Sequence, residues 1–334
     1  MTTTMTSPAA GAPTTDVPDA ADPSRPRVVL AEPIDEACAA WLAERCDVVR
    51  AWEMEGEIET LLREADGLVV RTYTRVDAAL LELAPRLRVV GRAGVGVDNI
   101  DLDACDARGV RVVNTPDANT SAVVEYVFAL ILDALRPRVF LAEAPSPEEW
   151  KSLRAELIAH RQLCESTLGV LGLGRIGRGV ARAARGFGMR VVYHDLLEIP
   201  ESQREGAEPV SREALLREAD ILTIHVDGRP ENRGLIDAGA LGLLKDNVVL
   251  INTSRGFVID SGALASFLDE RPEAMALLDV HDPEPFDENS PLLDLENAHL
   301  APHLGAATEL AHRNMSWVVR DVWEALRKEQ RMEE

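Results

Sequence analysis

Three short polar segments, each following an apolar run, carry side chains suited to chemistry on a carbonyl group. They are residues 252–256, 279–285 and 301–306. Arg255 in the first segment can bind a carboxylate through two parallel hydrogen bonds. His303 in the third can donate a proton to an oxygen that becomes a hydroxyl, and a carboxylate beside it, of the kind found in the second segment, can orient the ring and raise its pKa. The segments predict a site that interconverts a carbonyl and a hydroxyl group.

Each of these residues also has a plainer interpretation. Arg255 could be a surface residue in a turn, although a glycine following it at a strand end argues against this. Glu284 stands between two prolines and could be a solvated loop acid. Among the seven histidines, His225 at a predicted strand end and His281 compete with His303 for the role of the acid. The residue types alone leave this choice open.

A second feature is a glycine loop of the pattern GxGxxG, formed by Gly172, Gly174 and Gly177 after an apolar run at 167–171. The first glycine permits a tight turn, the second lets the backbone approach a pyrophosphate, and the third lets helix and strand pack closely. The helix that follows points its free N–H groups at the phosphates. About 18 residues later a strand ends on Asp195, which can bind a ribose 2′-hydroxyl and would repel a 2′-phosphate. The spacing predicts NAD rather than NADP.

Glycine-rich turns between a strand and a helix also occur in methyltransferases and as simple packing devices. Four features occur together here, namely an apolar strand, a helix at 178–185, a second strand at 190–194 and an acid at its end. Their combination favours the dinucleotide site.

Composition and charge restrict the class of protein. With 334 residues and 46% hydrophobic content, the chain can bury a sizeable core and suits two domains better than one. No run approaches the ~18 apolar residues of a membrane span, and the first residues lack the order of a signal peptide. The net charge of −22 disfavours nucleic acid and anionic membranes as partners. The four cysteines show neither disulfide nor metal spacing, which fits the cytoplasm.

Strand and helix patterns alternate along the chain after a tail at 1–26, whose polar composition predicts disorder. Such alternation is typical of α/β proteins with parallel sheets. Strands are predicted at 28–31, 48–51, 67–71, 87–92, 110–114, 168–171, 190–194, 221–225, 248–252 and 275–280. A helix at 121–135 is apolar on almost every face, which predicts burial on several sides, between domains or in a homodimer. A last helix is predicted at 310–327.

An ordered series of motifs resembles the D-isomer-specific 2-hydroxyacid dehydrogenases, particularly their D-3-phosphoglycerate dehydrogenase branch. The resemblance spans about residues 28–329 and rests on 70–76, 91–101, 114–116, the glycine loop and the three polar segments. It implies two Rossmann-like domains with parallel sheets. These would be a discontinuous substrate domain at 27–118 and 304–334 and an inserted NAD-binding domain at 119–303.

The resemblance also implies roles for individual residues. Arg255, Glu284 and His303 match the catalytic arginine, glutamate and histidine of the family. The backbone of residues 94–96 resembles the loop that receives the substrate carboxylate, so Gly94, Val95 and Gly96 join Arg255 and His303 as substrate contacts. The residues expected to bind the cofactor are Gly172, Gly174, Arg175, Ile176, Gly177, Asp195, Val226, Thr253, Asp279 and Gly305.

Arg71 and Arg92 end two predicted strands of the substrate domain, where they are either surface charges or anion-binding groups. In a chain of net charge −22, an anionic substrate needs such local arginines. We expect an NAD-dependent oxidoreductase acting on a D-2-hydroxy acid and its 2-oxo acid with a distal anionic group. Examples are 3-phosphoglycerate, a phosphono-2-oxo acid or a dicarboxylate. The alternative is a regulator that keeps the fold and senses NAD(H), like the corepressors of this family.

The chain departs from the family pattern at three places near the expected site. Residues 227–230 replace the usual proline-containing loop, His281 stands where phenylalanine is common, and Tyr73 occupies a position that is usually small. These departures concern the identity of the substrate more than the type of reaction.

Overall fold

The computed structural model describes residues 25–54, 58–136 and 138–333. They form two parallel β-sheets with helices packed on them, and the predicted α/β fold with two Rossmann-like units is confirmed. The predicted tail lies outside the described residues except for its last two positions. Within the described ranges, no helix combines the length and apolar character needed to cross a bilayer.

The first sheet contains five strands in the order β2-β1-β3-β4-β5, all paired in parallel. The strands are β1 (Arg27–Leu30), β2 (Asp47–Arg50), β3 (Gly67–Val70), β4 (Val89–Arg92) and β5 (Arg111–Asn114). The helices between them are α1 (Glu36–Ala43), α2 (Ile58–Leu62), α3 (Ala78–Leu83) and α4 (Leu102–Ala107). Neighbouring residues of β1 enter different cores, Val29 on one face and Leu30 on the other, which explains why these strands are continuously apolar.

The second sheet contains seven parallel strands in the order β12-β11-β10-β9-β6-β7-β8. They are β6 (Thr167–Leu171), β7 (Arg190–His194), β8 (Glu208–Pro209), β9 (Ile221–Ile224), β10 (Val249–Asn252), β11 (Met275–Leu278) and β12 (Ala298–Leu300). Its helices are α5 (Thr120–Leu135), α6 (Pro147–Glu156), α7 (Arg175–Gly186), α8 (Arg212–Glu218), α9 (Ala238–Leu241) and α10 (Ser261–Glu270). The strand order reverses between β6 and β9, and the crevice at this point is where such sheets bind ligands.

After β12 the chain returns to the first sheet through α11 (Glu309–Ser316) and α12 (Val318–Glu333). Val318, Val322 and Leu326 of α12 are fully buried against this sheet. A Cβ atom at Gly91 would lie 2.4 Å from a methyl carbon of Val322, so this close approach requires glycine. The packing supports the domain limits that we propose, 27–118 with 304–334 and 119–303.

The structure differs from the predicted elements at both ends of the second sheet. Strands β8 and β12 were not predicted, because two and three residues are too few to show a strand period.

The single helix predicted at 310–327 is wrong, since α11 ends before Trp317. There the N–H of Arg320 bonds to the carbonyl of Trp317 at 3.0 Å, and the Trp317 ring packs edge-on against Trp41.

Helix α5 is buried on more than one side, as predicted. Val127 and Ile131 pack in a core of the second sheet, and Ala122 packs with Met315 of α11 on another side. Glu125 is exposed on the remaining face.

Candidate active site

The turn between β6 and α7 forms a cradle of backbone N–H groups. Gly172 adopts a φ of +93°, and a Cβ atom there would lie 2.7 Å from the carbonyl oxygen of His225. A Cβ at Gly177 would lie 2.1 Å from the carbonyl oxygen of Gly172. Gly174 caps α7 without a side-chain hydrogen bond and has open space around it. The first N–H groups of α7 are thus uncapped and suited to a phosphate.

Asp195 follows β7 and lies beside this cradle. One carboxylate oxygen accepts the N–H of Leu173 at 2.7 Å and the other accepts the N–H of Leu197 at 2.8 Å. Because each oxygen has two lone pairs, one acceptor position on each is left for a ribose hydroxyl. Arg175, at the start of α7, pairs through Nε with Asp117 at 2.5 Å.

The ends of β9, β10 and β11 bring the remaining predicted cofactor residues to the same edge of the sheet. Val226 follows β9, Thr253 follows β10 and Asp279 follows β11. The Thr253 hydroxyl is buried and has no hydrogen-bond partner among the described residues. Asp279 accepts the N–H groups of Leu304 at 2.6 Å and Gly305 at 2.8 Å, while burial raises its pKa. An unsatisfied buried hydroxyl at this edge fits a polar ligand.

His303 and Glu284 form a hydrogen-bonded pair, with Nδ1 of the histidine 2.8 Å from Oε2 of the glutamate. The backbone of His303 has a φ of +56°, and the two peptide groups that follow it are held by Asp279. The other oxygen of Glu284 accepts the peptide N–H of His281 at 2.9 Å. The hydrogen bond that Nδ1 of His303 donates to Glu284 raises the pKa of His303 above its ordinary value, although burial opposes this. The pair therefore fixes the orientation of the ring and favours its protonated form.

The two competing histidines have other contacts. The ring of His225 contacts the Thr223 hydroxyl at 2.9 Å, and burial lowers its pKa to about 3. The ring of His281 contacts the carbonyl oxygen of Ala301 at 2.8 Å. Neither ring is bonded to a carboxylate, whereas the ring of His303 is.

Arg255 lies at the junction of the two sheets, where sequence reasoning missed its partner. Its Nε and Nη2 donate to one oxygen of Asp98 at 2.8 and 2.5 Å, and Nη1 donates to the carbonyl of Ser254 at 2.7 Å. Asp98 belongs to the loop after β4, so this ion pair links the first sheet to the second. A Cβ at Gly96 would lie 1.7 Å from Nη2 of Arg255, which places the 94–96 loop against the guanidinium.

Arg92, the last residue of β4, also lies against this loop. Its Nη1 would lie 1.3 Å from a Cβ at Gly94, so only glycine fits beneath the guanidinium. Its Nε is buried without a hydrogen-bond partner among the described residues. Burial, together with the charge of Arg255, lowers the pKa of Arg92 to about 10. Arg71 lies further out, with Nη1 3.1 Å from the carbonyl oxygen of Pro33 and 3.1 Å from Nε2 of His312.

Comparison with known proteins identifies this arrangement. Residues 128–305 match the family model described as D-isomer specific 2-hydroxyacid dehydrogenase, NAD binding domain. The chain belongs to this family. The predicted oxidoreductase class, the family and the cofactor NAD are thereby confirmed.

The relatives of this dehydrogenase divide into two groups by length. A glyoxylate reductase of Aeropyrum pernix is 40% identical over 307 residues, which cover 89% of this chain and 91% of the relative. A D-3-phosphoglycerate dehydrogenase of Archaeoglobus fulgidus is 35% identical over 305 residues, covering 88% of this chain but 56% of the relative. The chain thus spans about half the length of that second relative.

Solved structures show the same fold. A glyoxylate reductase from Paecilomyes thermophila gives a TM-score of 0.78 at 28% identity, with 92% of this chain and 97% of that chain covered. A D-lactate dehydrogenase from Aquifex aeolicus, complexed with NAD and lactic acid, gives 0.75 at 26% identity, with 91% and 96% covered.

In this dehydrogenase the three chemical groups converge from separate elements. The guanidinium of Arg255 can hold a carboxylate, and the outer nitrogen of His303 can exchange a proton with an adjacent oxygen. Glu284 stabilises the protonated ring. Sequence reasoning missed Asp98, because its partner Arg255 is distant in the chain, although Asp98 lies within the motif at 91–101 that carries the resemblance.

Proposed function

We propose that this chain interconverts a D-2-hydroxy acid and its 2-oxo acid, using NAD, and that the substrate carries a second anionic group. The observation that carries the proposal is the guanidinium of Arg92. Arg92 is half-buried near Arg255, and its Nε is buried and unpaired among the described residues. A buried donor without a partner is costly unless a ligand supplies the acceptor. The charge of Arg255 is paired with Asp98, whereas Arg92 forms no ion pair among the described residues, so its charge is left for an anion of the substrate.

Each site residue has a role in this proposal. Arg255 and the N–H groups of Val95 and Gly96 hold the carboxylate beside the reacting carbon, and Gly94, whose own N–H bonds to the carbonyl oxygen of Arg92 at 2.8 Å, shapes the start of this loop. In the reducing direction His303 gives its proton to the carbonyl oxygen while Glu284 stabilises the charged ring. Arg71 and Arg92 face the distal anion. The residues proposed to hold the cofactor are Gly172, Gly174, Arg175, Ile176, Gly177, Asp195, Val226, Thr253, Asp279 and Gly305. When bound, the nicotinamide supplies or accepts the hydride.

A second candidate substrate is a small 2-oxo acid without a distal anion, such as glyoxylate. Coverage of 91% of a glyoxylate reductase, against 56% of a phosphoglycerate dehydrogenase, favours it.

A substrate panel separates the two candidates. NADH oxidation would be measured with glyoxylate, pyruvate, 2-oxoglutarate and 3-phosphohydroxypyruvate at fixed ionic strength. We expect kcat/KM for the best doubly anionic acid to exceed that for pyruvate by roughly tenfold or more, since one charge-assisted hydrogen bond contributes about 1.5 to 3 kcal/mol. Higher kcat/KM for glyoxylate would select the second candidate. Absence of turnover on every acid would contradict both.

We also propose that the chain pairs with a second copy through the segment around α6. Leu141, Trp150 and Leu157 line one shallow apolar groove, and Phe140 and Ile158, next to them in the sequence, are 88% and 70% exposed. Exposed apolar patches of this kind mark protein interfaces. Trp150→Glu should reduce the mass measured by light scattering from twice 36.5 kDa to the single-chain value, whereas Trp52→Glu, at another exposed tryptophan, should not. A wild-type monomer would contradict this proposal.

A further inference from the structure

The loop that follows β3 is wrapped around one carboxylate. Oε1 of Glu32 accepts the peptide N–H groups of Arg71 at 2.9 Å and Thr74 at 3.0 Å. Oε2 accepts those of Thr72 at 2.9 Å and Tyr73 at 3.2 Å. Four consecutive peptide N–H groups thus converge on a single side chain, in the manner of a backbone site for an anion.

The chemistry of Glu32 fits this arrangement. An ionised carboxylate only accepts hydrogen bonds and offers about four lone-pair positions, so the four N–H groups use all of them. Burial alone would raise the pKa of Glu32, but the four hydrogen bonds outweigh it and lower the pKa below the ordinary value. Glu32 is buried, so water cannot readily replace the carboxylate.

The loop is also held from its carbonyl side. Nδ2 of Asn99 donates to the carbonyl oxygens of Arg71 at 3.2 Å and Thr74 at 2.7 Å. Asn99 lies in the motif that also carries Asp98, so the segment beside Arg255 and the 71–74 loop are fastened together. The position of this loop is therefore tied to the centre of the site.

Arg71 takes its orientation from this support. Its peptide N–H donates to Glu32, and Nη1 of its guanidinium donates to the carbonyl oxygen of Pro33, the residue after Glu32. Nη1 also contacts Nε2 of His312, which must act as the acceptor because arginine only donates. Among the described residues, Nε and Nη2 of Arg71 contact no acceptor, which leaves them for a ligand.

We propose that Glu32 is a positioning residue that shapes the 71–74 loop around its carboxylate and thereby aims Arg71 into the cleft. This inference rests on the proposed function, in which Arg71 binds the distal anion. Because the loop uses the acceptor positions of Glu32, its carboxylate has none left for substrate or cofactor. Its removal should therefore affect binding of the doubly anionic substrate rather than the chemical step.

The variant Glu32→Gln tests this directly, because its amide nitrogen would turn donors toward two of the four N–H groups. The matched variant Glu36→Gln removes an exposed carboxylate four residues away. Amide hydrogen exchange at 71–74 should become at least about tenfold faster in Glu32→Gln than in the wild type and in Glu36→Gln, since exchange reports local opening. Unchanged exchange would overturn the inference and leave the proposed function standing.

Kinetics then test whether shaping the loop aims Arg71. With 3-phosphohydroxypyruvate, Glu32→Gln should raise KM about tenfold with kcat changed by less than about threefold, because binding and not chemistry is affected. In the Glu32→Gln background, Arg71→Ala should have little further effect, since coupled residues are not additive. An undiminished effect of Arg71→Ala in that background would overturn the inference.

Two further outcomes are distinguishable. If Arg71→Ala leaves the wild-type enzyme unchanged on every substrate, the distal-anion role and the aiming of Arg71 both fail. If Glu32→Gln does not fold, Glu32→Asp keeps the charge and shortens the side chain by one methylene. The same exchange and KM changes, of smaller size, are then expected, and their absence would overturn the inference.

Discussion

Two turns in this molecule gather backbone N–H groups, and they use them in opposite ways. At the start of α7 the N–H groups around Gly174 have no side-chain cap and stand open. At 71–74 four N–H groups are saturated by Glu32. The comparison teaches that converging amides make a ligand site only where the chain withholds its own anion. Where the chain supplies its own carboxylate, the same geometry instead fixes the position of a neighbouring side chain.

The same contrast extends to the sheets that carry the two turns. In the proposed function, the edge of the second sheet holds His303, Glu284 and Arg255, which would act on the part common to all 2-oxo acids. The edge of the first sheet holds Arg71 and Arg92, which would face the part that differs between these acids. Changes on the second sheet should affect every substrate equally, and changes on the first should discriminate.

The largest effect is expected for His303→Ala. Loss of the proton donor should lower kcat by about 10²- to 10⁴-fold, and by the same factor for every 2-oxo acid. Turnover would be measured beside NADH binding by fluorescence, which should not change. His299→Ala, at an exposed histidine on β12, should behave as wild type. Normal turnover in His303→Ala would show that another residue is the proton donor.

Asp195 should determine the choice of cofactor at the open turn. The ratio of kcat/KM for NAD over NADP should fall by roughly 10- to 100-fold in Asp195→Asn, because charge-assisted hydrogen bonds contribute about 1.5 to 3 kcal/mol. Glu198→Gln, an exposed acid three residues on, should keep the wild-type ratio. Equal values of kcat/KM for the two cofactors in the wild type would contradict this role.

The variant Arg71→Ala tests whether the first sheet discriminates between substrates. It should lower kcat/KM for 3-phosphohydroxypyruvate by about one to two decades and leave pyruvate almost unchanged, since only the former offers a distal anion. Arg75→Ala provides the control, because Arg75 directly follows the 71–74 loop and its side chain is 83% exposed. Equal losses on both substrates would indicate a structural role for Arg71.

The smallest effect is a shift in the pH profile of Glu284→Gln. Reduction requires protonated His303, so activity is present below its pKa and is lost as the pH rises through it. Glu284 raises that pKa, mainly through its hydrogen bond, so the neutral amide should move the loss of kcat/KM to lower pH. Glu288→Gln, in the same loop, should leave the profile in place. An unshifted pH profile in Glu284→Gln would show that the group whose titration limits activity does not depend on the Glu284 carboxylate.

Much of the fold and site could be predicted because the signals are local. The glycine loop, Asp195 and the alternating strands depend on short patterns, and these elements lie where they were expected. The grouping of Arg255, Glu284 and His303 came from a resemblance, because no periodicity shows that they meet. Glu32 and Asp98 could not be found this way, since a carboxylate reveals its partner only when distant segments fold together.

The return of α12 to the first sheet affects the order in which the domains can fold. The core on one face of that sheet combines β1 residues such as Val28 with Val322 and Leu326 from the other end of the chain. The cores of the second sheet draw only on residues between 123 and 300. During synthesis the second sheet can therefore close its core first, while the first sheet keeps an apolar face uncovered until the last helix has left the ribosome. During this stage of synthesis, the uncovered apolar face makes the nascent chain prone to aggregation.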